Sequence, residues 1–263
     1  MDYLKYDWCY TETRDVREAY TTMRDALFAA KRPVVFSLCE EGRSKPWEWA
    51  ADVGPPLAHL WRTSGDIYDS WDGYKMWKMG WKRILDRQTA LVDDWGPNGI
   101  AKFAGPGHWN DPDMMEVGNE GLSIAESRAH FSLWAMLAAP LMAGNDVRHM
   151  SDEIIAIMTD PDVIAVNQDK LGKQGFRALG EDAAGIEIFV KKLSDGEWAI
   201  CALNTATDAQ ELTIPFHRFY MLGETKELYD VWSNEVVGMS DQDFTREVGS
   251  HDVMMFRLRE PAK

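Results

Sequence analysis

Two aspartates near the start of the chain each end a short apolar run. Asp7 closes the run that begins at Tyr3, and Asp66 closes a run that begins at Leu60. A strand that ends in an acidic residue and opens into a polar loop is how a (β/α) barrel presents a catalytic group. Two carboxyl groups about 5–5.5 Å apart can cleave a glycosidic bond with retention, one as nucleophile and the other as acid and then base. The pair therefore predicts glycoside hydrolysis.

Two basic residues accompany these aspartates at even spacing. Lys5 precedes Asp7 by two residues, and Arg62 precedes Asp66 by four. Because side chains alternate along a strand, each basic residue is predicted to face the same side as its aspartate. A cation beside Asp7 would keep that carboxylate ionised and would hold substrate oxygens.

Apolar runs and helical periodicity alternate over the first two thirds of the chain. Strands are predicted at residues 3–7, 33–39, 61–65, 108–110 and 141–144. Helices are predicted at residues 11–30, about 75–91, 123–138 and within 152–166. Ser123, with Glu126 three residues later, is a capping-box pattern for the third helix. Such alternation predicts βαβ units and a parallel sheet, and hence an α/β fold.

The pattern changes near residue 175. Short alternating runs occupy residues 185–190, 198–203, 211–214 and 253–258, and turn residues separate them. This predicts an antiparallel β-sandwich of about 85–90 residues. We therefore expect two domains, the parallel α/β part over residues 1–174 and a Greek-key sandwich over residues 175–263.

Charge and composition exclude several classes of partner. The formal net charge of −15 argues against nucleic acid and anionic membrane surfaces. The three cysteines lack CxxC spacing and the six histidines lack ligand spacing, so neither a disulfide framework nor a metal site is expected. No run of about 18 apolar residues suggests a membrane span. The start of the chain has no signal-peptide pattern, so secretion or export to the periplasm would require a longer product that carried one.

Five motifs lie in order between residues 3 and 175. They are Lys5-Tyr6-Asp7-Trp8-Cys9, Ser37-Leu38-Cys39-Glu40, Trp61-Arg62-Thr63-Ser64-Gly65-Asp66-Ile67, Trp109-Asn110-Asp111-Pro112-Asp113-Met114, and Ala139-Pro140-Leu141-Met142 with Asn145-Asp146-Val147-Arg148. In this order they resemble glycoside hydrolase family 27, the α-galactosidase and α-N-acetylgalactosaminidase group. The last part of the chain resembles that family only in its sandwich architecture.

The resemblance implies a (β/α)₈ TIM barrel, of which this chain holds strands four to eight, followed by the sandwich. It makes Asp7 the nucleophile at the tip of strand four and Asp66 the general acid/base at the tip of strand six. It also implies residues that contact the sugar, and these are Lys5, Arg62, Asp113 and Met114 for the hydroxyls and Cys39 and Glu40 for the 2-position. No metal or organic cofactor is required.

The chain departs from the family pattern in its first strands. Barrel strands one to three, which carry further sugar-binding residues in the family, have no counterpart here. Cys9 lacks the partner half-cystine that the family places there, and Ala58 stands where some relatives pair Cys39, so both thiols are expected to be free. The pair Asp93-Asp94 occupies the wrong place for the family's carboxylate pair and is interpreted as a solvated helix end.

Several alternatives stay open at this stage. A free 2-hydroxyl, and therefore an α-galactoside, is favoured by Cys39 and Glu40, but an α-N-acetylgalactosaminide or a β-L-arabinopyranoside is also possible. Asp113 could be a turn residue after Pro112, and Cys39 could be an inert buried thiol. A five-strand arc has two open edges, so the chain is either part of a longer product or closes its barrel with a second copy or a complementing chain. An inactive, structural partial barrel is the remaining alternative.

Overall fold

The computed structural model describes residues 1–51, 56–89, 99–179 and 185–261. In these ranges the helices are α1 (Val16–Ala29), α2 (Trp81–Gln88), α3 (Ile124–Met136), α4 (Asp152–Met158) and α5 (Pro161–Asn167). The strands are β1 (Tyr3–Asp7), β2 (Val35–Cys39), β3 (Leu60–Arg62), β4 (Tyr74–Lys75), β5 (Lys78–Met79), β6 (Trp109–Asp111), β7 (Phe176–Leu179), β8 (Ile186–Lys192), β9 (Trp198–Asn204), β10 (Gln210–Ile214), β11 (Glu227–Asp230), β12 (Glu235–Met239), β13 (Phe244–Val248) and β14 (Val253–Arg259).

A four-stranded parallel sheet organises the first part of the chain. Its order is β1-β2-β3-β6, so strands that follow one another along this part of the chain are neighbours in the sheet. Parallel neighbours need a crossover, and α1 supplies the one between β1 and β2. The α/β fold with a parallel sheet, the partial barrel of the prediction, is confirmed.

The predicted strand at residues 141–144 is wrong in extent. That segment forms a single parallel bridge, Met115 to Ala143, with hydrogen bonds from the Met115 N–H to the Met142 carbonyl (2.8 Å) and from the Gly144 N–H to the Met115 carbonyl (2.9 Å). A local turn, in which the Met142 N–H donates to the Pro140 carbonyl, prevents the segment from extending as a strand. The segment nevertheless lies beside the chain that follows β6.

The predicted helix from about residue 75 begins later than expected. Residues 74–79 form a β-hairpin of β4 and β5, and α2 starts only at Trp81. Met76 turns the hairpin with a φ of 58°, a left-handed conformation that cannot continue a helix. The Gly80 N–H then donates to the Gly73 carbonyl and closes the loop just before the helix. Residues 90–98, which include Asp93-Asp94, lie outside the described ranges.

The first helix also begins later than predicted, at Val16 rather than residue 11, whereas the helices after residue 123 match their sequence signals. The Asp15 side chain caps α1 by accepting from the Glu18 N–H at 2.8 Å. Ser123 and Glu126 form the predicted capping box of α3. None of the helices in the described part of the chain is long and apolar enough to cross a membrane.

The last part of the chain is an antiparallel β-sandwich, as predicted. One sheet has the order β12-β11-β14-β9-β8-β7, and the other pairs β10 with β13. An apolar core fills the space between the sheets, with Ile188, Ile200 and Phe256 from the large sheet and Leu212 from the small one. A second core joins the two parts of the chain, because α3 packs against the opposite face of β9 and β14.

Candidate active site

The carboxyl ends of the four parallel strands bring the predicted residues to one edge of the sheet. In the β1–β2 ladder Asp7 lies opposite Cys39 and Lys5 opposite Ser37, and in the β3–β6 ladder Arg62 lies opposite Asp111. Alternation therefore places these side chains on one face of the sheet. The pKa values agree with this arrangement, because Asp111 and Arg62 affect the pKa of Tyr3 and Cys39 affects that of Asp7.

Asp7 is an exposed carboxylate that its neighbours hold in the ionised form. Its Oδ1 accepts the Trp8 N–H at 2.8 Å, and its Oδ2 lies 3.5 Å from the Cys9 thiol. Partial burial raises the pKa of Asp7, but the Trp8 N–H, the Cys39 and Cys9 thiols and the Lys5 cation together lower it below its ordinary value. The group is therefore ionised at neutral pH.

Cys39 and Glu40 follow at the end of β2, where both side chains are buried. Burial raises the pKa of the Cys39 thiol to about 12, so it is neutral at physiological pH. Glu40 Oε2 accepts the Ser44 N–H at 2.7 Å, whereas its Oε1 accepts no hydrogen bond from any described residue. Burial raises the pKa of Glu40 despite that bond. Neither Cys9 nor Cys39 forms a disulfide within the described residues.

Arg62 joins the ends of β3 and β6. Its side chain is only 1% exposed, and its Nη2 lies 2.7 Å from Asp113 Oδ2 and 3.5 Å from Asp66 Oδ1. The same nitrogen donates to the Gly65 carbonyl at 2.9 Å and the Ser64 carbonyl at 3.2 Å. Arg62 thus fixes the loop that carries Asp66, whose side chain is 45% exposed.

Asp113 connects that loop with the segment after β6. Its Oδ2 accepts the Ile67 N–H at 3.0 Å, and its backbone carbonyl accepts the Trp134 indole N–H at 3.0 Å from α3. The residue adopts a φ of 94°, which an aspartate adopts only when its surroundings impose it. Met114, the next residue, is 40% exposed beside it.

Asp111 was not among the predicted site residues. It is fully buried at the end of β6, opposite Arg62, and its Oδ1 accepts the Asp113 N–H at 2.9 Å. Burial raises the pKa of Asp111, although Arg62 and then Lys5 act in the opposite direction. Two features of the sequence could have indicated that Asp111 belongs to the site. It alternates with Asp113 about Pro112, and it is the last residue of the strand itself.

A cavity of about 310 Å³ opens at the β1–β2 end of this edge. It brings together Asp7, Cys39 and Glu40 of the predicted set, but Lys5, Arg62, Asp66, Asp113 and Met114 do not line it. Trp77, from the β4–β5 hairpin, closes one side, and sequence reasoning missed it because the hairpin was interpreted as a helix.

Asp7 ends β1, whereas Asp66 lies in the loop four residues after the end of β3, and β1 and β3 are two strands apart in the sheet. Neighbouring strands are about 4.8 Å apart, so the backbones of β1 and β3 are separated by roughly 9.6 Å, and side chains on the concave face of a curved sheet approach more closely. Within the described ranges, no group of three or more His, Cys, Asp or Glu side chains could hold a metal ion.

Comparisons with known proteins place both parts of the chain. The family model "Alpha galactosidase A" matches residues 1–169, and the model "Alpha galactosidase C-terminal beta sandwich domain" matches residues 183–258. The chain is 44% identical to alpha-galactosidase A of Cellvibrio japonicus over 98% of its own length and 63% of that protein. It is 37% identical to an alpha-galactosidase of Oryza sativa over 98% of its length and 57% of that protein.

Solved structures show the same architecture. Alpha-galactosidase I from Mortierella vinacea superposes with a TM-score of 0.88 at 27% identity, covering 100% of this chain and 69% of that one. The chain spans roughly three fifths of the length of the curated relatives it matches, 63% of the Cellvibrio japonicus protein and 57% of the Oryza sativa protein.

Proposed function

Because the chain belongs to the α-galactosidase family of glycoside hydrolases, family 27, we propose that it releases terminal α-linked galactose from oligosaccharides or simple galactosides. The observation that carries the proposal is the common sheet edge of Asp7 and Asp66, with Arg62 buried between β6 and the Asp66 loop. One carboxylate at a strand end and a second on a loop that a buried arginine fixes supply the two carboxyl groups that retaining hydrolysis requires.

In the proposed first step, a carboxylate oxygen of Asp7 attacks the anomeric carbon and forms a glycosyl ester. The low pKa of Asp7 supplies the anionic nucleophile. Asp66 donates its proton to the leaving oxygen as that bond breaks, and becomes a carboxylate beside the Arg62 guanidinium, 3.5 Å away. The cation stabilises the charge that Asp66 gains in this step.

In the second step, the Asp66 carboxylate takes a proton from water, and the water oxygen attacks the same anomeric carbon. The ester bond to Asp7 breaks, and galactose leaves with its original anomeric configuration. Asp66 is reprotonated by this water, so both carboxyl groups return to their starting states.

We further propose that the sugar is held by the remaining predicted residues. These are Lys5, Arg62, Asp113 and Met114 for the hydroxyls, and Cys39 with Glu40 at the 2-position. The buried Oε1 of Glu40, which has no protein donor within the described ranges, is available to a 2-hydroxyl. A free 2-hydroxyl facing Cys39 and Glu40 would make galactose the substrate rather than N-acetylgalactosamine, and an arabinopyranoside, which differs only at carbon five, is the alternative substrate.

A chromogenic α-galactoside tests the proposal. We expect the wild-type chain to hydrolyse it and Asp7→Asn to lose about 10⁴-fold in kcat, because the amide is not a nucleophile. Asp25→Asn, an exposed carboxylate change on α1, is the matched control and should behave as wild type. NMR of the first-formed sugar should show the α-anomer. Hydrolysis that persists in Asp7→Asn would disprove the nucleophile assignment.

A second candidate is a partial barrel that needs another chain. β1 lies at the end of the described sheet order, with Lys5 and Asp7 exposed, and parallel sheets are normally covered on both faces. We propose that a second copy or a complementing chain pairs with this edge. Light scattering during size exclusion tests this, since an active monomer would contradict it. If the wild type is inactive as well, an incomplete barrel becomes the better interpretation, and a structural role is the other alternative.

We also propose that the two domains divide between residues 174 and 175. The parallel part ends with α5 and a turn to Gly172, and β7 begins at Phe176. Limited proteolysis should cut near this junction only after the shared core between α3 and the sandwich opens, since that core holds the two parts together.

A further inference from the structure

A tight turn of the sandwich, residues 249–252 between β13 and β14, reaches the loop that carries Asp66. In this turn the His251 imidazole stacks on the Trp71 indole, with ring centroids 3.9 Å apart and ring planes inclined by only 2°. Trp71 lies five residues after Asp66, in the loop that joins β3 to β4. A residue of the sandwich therefore contacts the same loop that presents the proposed proton donor.

The sandwich fixes His251 from both sides of the turn. The Asn204 side-chain amide donates to the Gly249 carbonyl at 2.9 Å, and the Asn204 backbone N–H donates to the Asp252 carbonyl at 2.9 Å. His251 itself adopts a φ of 55°, a left-handed conformation that a residue other than glycine keeps where its surroundings impose it. The imidazole is therefore held at a constant position relative to β9 and β14.

Glu126 of α3 sets the orientation of the imidazole ring. Its Oε1 lies 2.8 Å from His251 Nδ1, and its Oε2 accepts the Ser123 N–H at 2.8 Å. Burial raises the pKa of Glu126, but the Ser123 N–H and His251 together lower it below its ordinary value. The ionised carboxylate can only accept hydrogen bonds, so His251 Nδ1 carries a proton and donates it. The His251 and Glu126 side chains are 18% and 15% exposed, so the contact is largely shielded from solvent.

Trp71 is in turn fixed to the start of α2. Its carbonyl accepts the Lys82 N–H at 2.9 Å, and the Ser70 carbonyl accepts the Trp81 N–H at 3.0 Å. The Trp71 indole also packs edge-on against the Trp81 indole, with ring centroids 4.8 Å apart. Because these contacts close the loop on α2, a displacement of the Trp71 ring would shift the loop that carries Asp66.

A row of packed rings continues from Trp81 towards the sheet edge. The Trp81 indole stacks on the His130 imidazole at 5.2 Å, and His130 packs edge-on against Trp134 at 4.1 Å. The Trp134 indole N–H donates to the Asp113 carbonyl at 3.0 Å, and Asp113 Oδ2 accepts the Ile67 N–H at 3.0 Å. Closely packed side chains transmit displacements. The contact at the sandwich is therefore continuous with the backbone next to the proposed proton donor.

We propose that His251 is a positioning residue for the Asp66 carboxyl group. Its imidazole, stacked on Trp71, holds the loop of residues 63–73 where Asp66 can donate its proton to the leaving oxygen. The proposal rests on the proposed function, in that Asp66 is taken as the proton donor. It gives the sandwich a part in the reaction, although none of the described sandwich residues lines the cavity at Asp7.

Two galactosides with small leaving groups isolate the contribution of the proton donor. Methyl α-galactoside must have its leaving oxygen protonated, whereas α-galactosyl fluoride releases a weakly basic anion. We expect His251→Ala to lower the ratio of kcat/KM for the methyl galactoside to kcat/KM for the fluoride by about tenfold, because Asp66 is displaced and Asp7 is not. His251→Phe, which keeps a ring on Trp71, should restore the wild-type ratio. An unchanged ratio in His251→Ala, or an equal fall in both variants, would overturn the proposal.

Tyr229→Phe is the matched control for a contact between the two parts of the chain. The Tyr229 hydroxyl donates to Asp162 Oδ2 at 2.9 Å and so joins the sandwich to α5 rather than to the Asp66 loop. A general loosening of the two parts changes the folded fraction, which affects both substrates alike. Tyr229→Phe should therefore leave the ratio unchanged. A fall as large as in His251→Ala would show that the effect is not specific to His251 and would overturn its role.

Hydrogen exchange separates this proposal from the proposed function, because it needs no substrate. The Met79 N–H donates to the Asp66 carbonyl at 2.8 Å, so its protection reports on the loop that carries Asp66. We expect this amide to exchange several-fold faster in His251→Ala than in the wild type and in Tyr229→Phe. If neither galactoside is hydrolysed but exchange rises in this way, the proposed function fails and the anchoring of the loop by His251 stands. Exchange that stays at the wild-type rate in His251→Ala would overturn the anchoring even in an active enzyme.

Discussion

The two ends of the parallel sheet present aspartates of opposite character at the same edge. At the β1 end, Asp7 is exposed and its neighbours lower its pKa. At the β6 end, Asp111 is fully buried and burial raises its pKa. Both residues are the last of their strands, so strand position alone does not explain the difference.

The cause lies in what covers each strand. β6 is followed by Asp113, whose carbonyl is bound by Trp134 of α3, and by Met115, which pairs with Ala143. Among the described residues, β1 pairs only with β2. The β6 end therefore builds a fixed ion-pair network around Arg62, whereas no such network surrounds Asp7 among the described residues. The variants below test this division, beginning with the largest expected effect.

Removing the cation at each end should give very different losses of stability. Arg62→Met leaves Asp113 and Asp111 buried without their cation and should cost about 3–5 kcal/mol in the free energy of unfolding. Lys5→Met, at the exposed end, should change it by no more than about 0.5 kcal/mol. Urea unfolding followed by tryptophan fluorescence measures both. Equal losses would show that the two ends are not electrostatically distinct.

Acidic pH should affect the two aspartates in opposite directions. The pKa of Asp7 is lowered on folding, so its contribution to stability is present above its unfolded pKa and is lost as the pH falls. The pKa of Asp111 is raised, so folding takes up a proton there, and its contribution becomes more favourable as the pH falls.

The measurement is the difference in unfolding free energy between wild type and each asparagine variant, taken from about pH 6 down to about pH 3. The unfolding free energy of the wild type minus that of Asp7→Asn should decrease as the pH falls. The unfolding free energy of the wild type minus that of Asp111→Asn should increase. Slopes of the same sign would contradict the division of the sheet edge into a free and a covered end.

The residues at the carboxyl ends of the strands could be predicted from the sequence. Which of these residues other parts of the chain bury could not. Apolar runs ending in Asp7 and Cys39 mark strands because a period of two and a buried parallel sheet leave few alternatives. The strand predicted at residues 61–65 is shorter than expected, since β3 ends at Arg62 and Asp66 lies in the loop that follows. The burial of Asp111 depends on α3 and on the Met115–Ala143 bridge, which approach β6 from distant parts of the chain. No local pattern contains that information.

The hairpin at residues 74–79 was missed for a different reason. Trp77 and Trp81 are four residues apart, as on a helix, whereas Tyr74 and Met76 alternate as on a strand. The left-handed φ of Met76 decides between the two, and methionine gives no signal for that conformation. The predicted strand at residues 141–144 failed similarly, because the turn after Pro140 is visible only in the structure.

Lys191 provides a contrast with Arg62, because its buried side chain contacts no carboxylate of the described residues. Its Nζ donates to the carbonyls of Ala135 in α3 (2.9 Å) and Val166 in α5 (2.7 Å), and so links β8 to two helix ends. Burial lowers its pKa to about 7, with Asp169 only partly offsetting this, whereas the carboxylates around Arg62 outweigh burial and raise the pKa of Arg62.

Between about pH 7 and pH 10 the unfolded chain keeps the Lys191 proton that the folded chain has lost, so the contribution of Lys191 to stability rises with pH. Lys191→Met does not titrate. The unfolding free energy of wild type relative to this variant should therefore increase by about 1–3 kcal/mol from pH 7 to pH 9, measured by urea unfolding. A constant difference would show that the ammonium stays charged, as Arg62 does.

The smallest effect concerns Cys9, at the uncovered end of the sheet. Its exposed thiol lies 3.5 Å from Asp7 Oδ2, and the hydrogen bond to Asp7, with the negative charge of that carboxylate, raises the pKa of Cys9. Alkylation by iodoacetamide at neutral pH should therefore be slower than for a small free thiol, and a few-fold faster in Asp7→Asn than in the wild type. The buried Cys39 and Cys201 are internal controls that should not react in either folded protein. An equal alkylation rate at Cys9 in both proteins would mean that Asp7 does not raise the pKa of the Cys9 thiol. The Asp7 carboxyl group would then lack the negative charge that its proposed role as nucleophile requires.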